Sequence, residues 1–80
     1  MAQNTTETYF YKIDVIGHYG YSFMVEMNDD LGDDYDEVID RANKAGLFED
    51  ETDLHYAKVD DICTTYDIEH FKTQGCCYKI

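Results

Sequence analysis

The 80-residue chain contains no proline, three cysteines, six lysines and arginines, and no long apolar run. No stretch approaches the ~20 apolar residues that cross a bilayer, so a membrane-spanning helix is not expected. The polar start, Met1 to Thr8, lacks the basic end and apolar core of a secretory signal, and the sequon Asn4-Thr5-Thr6 reads as incidental. An odd number of cysteines, two of them adjacent at Cys76 and Cys77, is not the framework of a disulfide-stapled secreted domain. The expected compartment is therefore the reducing cytoplasm. The scarcity of cations argues against direct contact with nucleic acid or an anionic membrane, since both are held by basic side chains. With no proline, Gly/Ser linker or internal repeat, nothing marks a second domain. The chain reads as a loose arm over 1–8 and one domain over 9–80.

What is present is acid and aromatic. Eighteen aspartates and glutamates give a formal charge of −12, yet eight tyrosines and four phenylalanines within a 44% hydrophobic composition argue for a folded core. A chain this short buries only about 60% of the surface its unfolded form exposes, so the core is modest and there is no room for a multidomain enzyme.

The organisation is legible as alternation followed by helical spacing. Tyr9, Tyr11, Ile13 and Val15 share one face of a strand, and Tyr21, Phe23, Val25 and Met27 share one face of a second. Bringing both apolar faces to the same side fits a hairpin that pairs Gly17 with Tyr21. That register sets Val15 opposite Phe23 and Ile13 opposite Val25, with His18-Tyr19-Gly20 as a three-residue loop and Gly20 left-handed. Tyr35, Val38, Ile39 and Ala42 then follow helical spacing. Asp34 is placed to cap this helix and Glu37 to complete a capping-box-like pair, while Gly46 ends it near residue 45. Glu37/Arg41 and Asp40/Lys44 form i,i+4 pairs on its solvent face. Leu54 to Val59 reads as a third strand, with Tyr9, Tyr11, Tyr21 and Tyr56 as core or sheet residues. Thr64 with Asp67 three residues on caps a short second helix that ends at Gly75, and Cys76 to Ile80 forms a short terminal strand. The expected fold is a small single α+β domain: an N-terminal β-hairpin, a helix, a strand, a short helix and a short terminal strand, in an antiparallel or mixed sheet with helices on one face.

Motifs for chemistry are few. Placing Gly32 at the sixth position of an EF-hand loop puts Met27 first, Leu31 fifth and Val38 twelfth, so the acidic turns do not match a calcium loop. His55, Cys63, His70, Cys76 and Cys77 include soft zinc ligands but show no C-x2-C or H-x3-H spacing. Cys63, Asp67 and His70 have the residue types of a nucleophile site, with nothing in the pattern to bring them together. No catalytic residue, metal site or cofactor is assigned, and the chain is not read as an enzyme.

Charge distribution is the strongest signal. Residues 26–61 hold 14 acids against Arg41, Lys44 and Lys58, a net of −11, while the other 44 residues net −1. A charge run is in general a solvated face, but concentrating like charges in a small domain costs stability through self-repulsion. Solubility alone needs less, so this density favours a basic partner. The carboxylates expected to meet it are Asp29, Asp30, Asp33, Asp34, Asp36, Glu37 and Asp40 on the first turn and helix, and Glu49, Asp50, Glu51 and Asp53 on the next turn. Tyr19 at the hairpin tip adds apolar contact. In profile the chain is similar in kind to small inhibitors that phages and mobile elements make against restriction or CRISPR complexes, a likeness of type that rests on no matched motif. The expected function is nucleic-acid mimicry on the basic nucleic-acid-binding surface of a host defence protein. The alternative is a non-catalytic adaptor or self-associating domain whose acidity serves solubility, joined through the strand at Tyr21 to Met27 or the terminal strand as a free edge.

Overall fold

A computed structural model describes residues 8–16, 20–60 and 64–80. The alternating segments form strands β1 (Tyr9–Val15) and β2 (Tyr21–Met27), paired antiparallel. Then follow helix α1 (Tyr35–Lys44), a 3-10 helix (Glu51–Tyr56), strand β3 (Ala57–Asp60), helix α2 (Thr65–Thr73) and strand β4 (Cys77–Lys79). The four strands make one mixed sheet in the order β3-β1-β2-β4, with β3 antiparallel to β1 and β4 parallel to β2. The α+β class and the element order read from the sequence are those of the molecule. The expected arm over 1–8 lies outside the described residues except for Thr8.

The hairpin register differs from the expected one by two residues. Val15 faces Tyr21 and Ile13 faces Phe23, so the partner of Tyr21 is Val15. A shift of two keeps every side chain on its face, so matching the apolar faces fixes only the parity of the register. Gly20 is not left-handed; among the described residues the positive-φ glycines are Gly32, Gly46 and Gly75. Tyr19 and the rest of the expected loop, Gly17 and His18, lie outside the described residues.

Helix α1 packs on one face of the sheet. Val38 and Ala42 are fully buried against Ile13, Val15, Phe23, Val25, Met27 and Val59, with Tyr35 and Ile39 beside them. Burying each large apolar side chain here contributes about 1.5–3 kcal/mol over leaving it exposed. Asp34 caps the helix by accepting the Glu37 amide at 3.4 Å. Glu37 does not return the bond: its carboxylate accepts from Arg41 Nε at 3.1 Å, so the expected box is half formed. Gly46 at φ 75 ends the helix, and the Leu47 amide reaches back to the Ala42 carbonyl at 3.1 Å, a glycine-terminated helix end.

The other helix occupies the opposite face, and this corrects the expectation of helices on one side. Fully buried Met24 lies there, Lys12 Nζ sits 5.8 Å from the Phe71 ring centre, and Lys72 Nζ sits 5.1 Å from that of Phe10. The strand order accounts for it. From β2 to β3 the chain crosses the sheet in one direction through α1, and from β3 to β4 it crosses back through α2. Two crossovers of the same hand running in opposite directions must leave by opposite faces. Thr64 and Asp67 form the full capping box of α2, with the Asp67 carboxylate accepting the Thr64 amide at 3.1 Å and Thr64 Oγ1 accepting the Asp67 amide at 3.2 Å.

Two further expectations change. Leu54 to Tyr56 belong to the 3-10 helix, and only Ala57–Asp60 is strand, because Asp50 turns the chain by accepting from both the amide and the hydroxyl of Thr52. Strand β2 is inside the sheet, paired with β1 along its length and with β4 at Met24–Glu26, so it is not an edge strand; the edges are β3 and β4. Among the described residues no helix is long and apolar enough to cross a membrane.

Candidate protein-binding surface

The acidic residues fall into two groups along the chain, one on the turn before α1 and on α1 itself, the other on the turn after it. One end of the sheet is defined by the pair Tyr9 and Met27, the other by Val15 and Tyr21. Asp29 and Asp30 follow Met27 at the first end, and Asp33 and Asp34 lead into α1. Glu37 is on its first turn with Asp36, which lies beside Ala57 and Lys58 of β3, where Ala57 pairs with Val15. The Tyr21 hydroxyl donates to Asp53 at 2.7 Å and accepts the Glu49 amide at 3.1 Å, which fixes Glu49, Asp50, Glu51 and Asp53 at the second. Six residue steps of about 3.3 Å put about 20 Å between the two ends of the β1–β2 ladder. Asp40 lies farther along α1, whose later residues Arg41, Lys44 and Ala45 flank Lys79 and Ile80. The structure therefore does not gather the predicted carboxylates into one patch.

Each carboxylate has a definite role or none. Asp29 and Glu37 share Arg41, whose guanidinium pKa rises because it donates first to Asp29 and then to Glu37. Asp40 holds Lys44 at 2.9 Å, and that hydrogen bond raises the ammonium pKa. Asp30 closes its turn by accepting the Gly32 amide at 3.0 Å, and Asp34 caps α1. Asp50 accepts from the amide and then the hydroxyl of Thr52, both of which hold its carboxyl below the ordinary value. Burial raises the Tyr21 pKa most; the Glu49 amide lowers it, and the Asp53 carboxylate it donates to adds to the rise. The carboxylates of Asp33, Asp36, Glu49 and Glu51 make no hydrogen bond or ion pair among the described residues, and all four residues are exposed. These four carry unneutralised charge outward, Asp33 and Asp36 at the entry to α1 and Glu49 and Glu51 after it.

The tyrosines divide differently from expectation. Tyr9, Tyr11 and Tyr21 are half-buried, and Tyr11 accepts the Leu31 amide at 3.2 Å. Tyr56 is 58% exposed because the 3-10 helix lifts it off the sheet, and Tyr66 is 75% exposed. Tyr19 lies outside the described residues. Comparison with known proteins adds no identity. No family model, curated protein or solved structure matches the chain.

The soft ligands do not gather. Among the described residues no three of His, Cys, Asp and Glu come together as a metal cluster, and Cys63 lies outside them. Cys76 packs toward the core on the α1 face, whereas the next residue, Cys77, has burial and then the Glu26 charge raising its thiol pKa. Glu26 alternates with core residues Val25 and Met27, so it belongs to the α2 face, and the adjacent thiols point to opposite sides of β4.

Proposed function

We propose that this domain is a non-catalytic inhibitor that occupies the basic nucleic-acid-binding surface of another protein by presenting carboxylates where that surface expects phosphates. A nuclease or effector of a restriction or CRISPR defence fits this description, and a phage or mobile element is the natural source of such an inhibitor. The observation that carries the reading is the net −11 over residues 26–61, with unneutralised carboxylates on both sides of α1 in the chain. The free carboxylates before and after α1 present charge from more than one part of the surface, which speeds encounter with a basic groove and favours it over an isolated basic patch.

Affinity capture from bacterial lysate, repeated with excess competing DNA or RNA, tests the class: recovery of a basic nucleic-acid-binding protein that the competitor displaces is expected. With that partner purified, Asp33→Asn, Asp36→Asn, Glu49→Gln and Glu51→Gln together remove the free charges without touching a cap or an ion pair. Association is expected to slow and its salt dependence to flatten. Unchanged affinity at low salt refutes mimicry.

A further inference from the structure

The second acidic end also contains a cleft of about 190 Å3, walled by Tyr21 and Phe23 of β2, Leu47 and Glu49 after α1, and Cys76 and Tyr78 at β4. It is smaller than the roughly 300–1,000 Å3 of small-molecule sites, and its size suits a single side chain. Its walls are aromatic: the Phe23 and Tyr78 ring centres are 6.1 Å apart at 68°, and those of Tyr21 and Phe23 are 6.2 Å apart at 22°. Phe23 is buried, whereas Tyr78 is 39% exposed and leaves its ring reachable. The rim is acidic. Glu49 is exposed with a free carboxylate, Asp53 is held on the Tyr21 hydroxyl, and among the described residues no cation lines the cleft.

Aromatic faces and carboxylates attract the same ligand. A cation gains from the ring quadrupole and from the rim charges together, a neutral side chain only from contact with the walls, and an anion is repelled. We infer that this cleft receives the cationic end of one lysine or arginine side chain from a basic protein partner. The inference rests on the reading above that the partner is basic, and it adds the point where diffuse attraction becomes an anchored contact. Burying one cation among aromatic rings is a common way for an interface to concentrate its binding energy. The first acidic end supplies charge for approach; the cleft fixes register.

The test uses the protein alone. Titration with n-butylguanidinium, followed by NMR, is expected to give saturable shifts centred on Tyr21, Glu49 and Tyr78 and an upfield shift of the probe's methylene protons. The neutral analogue n-butylurea should produce neither. Tyr78→Ala is expected to weaken the probe about two- to fivefold, the loss of one exposed cation–ring contact. Glu49→Gln, an exposed change that leaves the core intact, should weaken it too, and Asp33→Asn with Asp36→Asn should leave it unchanged. Shifts spread equally over both acidic ends, or binding indifferent to both Tyr78→Ala and Glu49→Gln, overturn the inference. The two proposals fail separately. A basic partner captured while the cleft stays silent refutes the cleft alone, and a cleft that binds the probe while no basic partner is captured refutes the partner.

Discussion

Replacing Tyr21 by phenylalanine removes one oxygen and tests how the second acidic end is held. That hydroxyl donates to Asp53 at 2.7 Å and accepts the Glu49 amide at 3.1 Å, and the ring can stay where it is against Phe23. A hydrogen bond to a charged group contributes about 1.5–3 kcal/mol and a neutral one about 0.5–1.5 kcal/mol. Both groups left behind can be rehydrated, since Glu49 is exposed and Asp53 only half-buried. The expected loss is therefore about 1–2 kcal/mol, or roughly 5–15 °C in Tm for a domain of this size. The pH dependence separates this cause from lost packing. The folded-state pKa of Tyr21 lies above its ordinary value of 10.0, raised by burial and by the Asp53 carboxylate. Its contribution to stability is complete below the unfolded value and is lost as pH climbs through the raised one, where a phenolate would face Asp53 and Glu49. Urea unfolding monitored by far-ultraviolet circular dichroism should show the gap between wild type and Tyr21→Phe constant from pH 7 to 9 and closing above pH 10. Equal stabilities at pH 7, or a gap that persists through the alkaline range, would refute the proposed anchoring.

Other perturbations address the remaining parts of the fold. Ile13→Ala and Met24→Ala each remove a fully buried side chain, on the α1 and α2 faces respectively, and should each cost about 2–5 kcal/mol by denaturant unfolding. Comparable losses at the two sites would establish that both faces are packed, whereas a small loss at Met24 would mean that α2 is loosely docked. Thr64→Ala removes the capping hydroxyl of α2 and should cost about 1 kcal/mol in the same assay. Asp50 and Asp67 have carboxyls held below their ordinary value of 3.8, by Thr52 and Thr64 respectively, so stability present above that value should fall as pH drops through their lowered ones. An acid limb of unfolding that survives unchanged in Asp50→Asn with Asp67→Asn would assign the loss elsewhere. Moderate salt should raise Tm by screening the acidic ends, and a melting curve indifferent to salt would mean that the free carboxylates are too far apart to repel.

Local features were legible in the sequence, and long-range ones were not. Alternation over Tyr9–Val15 and Tyr21–Met27, the Asp34 cap and the Thr64–Asp67 box all depend on residues a few positions apart, and each is present as read. The hairpin register failed by two because a pleat constrains only odd and even positions. Leu54 to Tyr56 looked like strand because apolar residues alternate there, yet the Asp50 side chain competes for the same backbone and winds it into a 3-10 helix. The placement of helices on opposite faces depends on strand order. That order is set by β3 and β4, of four and three residues, too short to carry a pattern of their own. The cleft likewise joins residues from β2, the loop after α1 and β4, which no spacing rule connects.

The same strand order constrains how the chain reaches its native state. Only β1 and β2 are neighbours in sequence; β3 must return to β1 across more than forty residues, and β4 to β2 across about fifty. Closing loops of that length before any contact rewards them slows folding, and here both loops run through the acidic turns. The hairpin is thus the natural nucleus and the outer strands arrive late, after the acidic turns between them have been brought together. Salt should then act on the rate of folding as well as on the melting point, and a chain emerging from the ribosome completes its sheet only once residues 76–80 have left it.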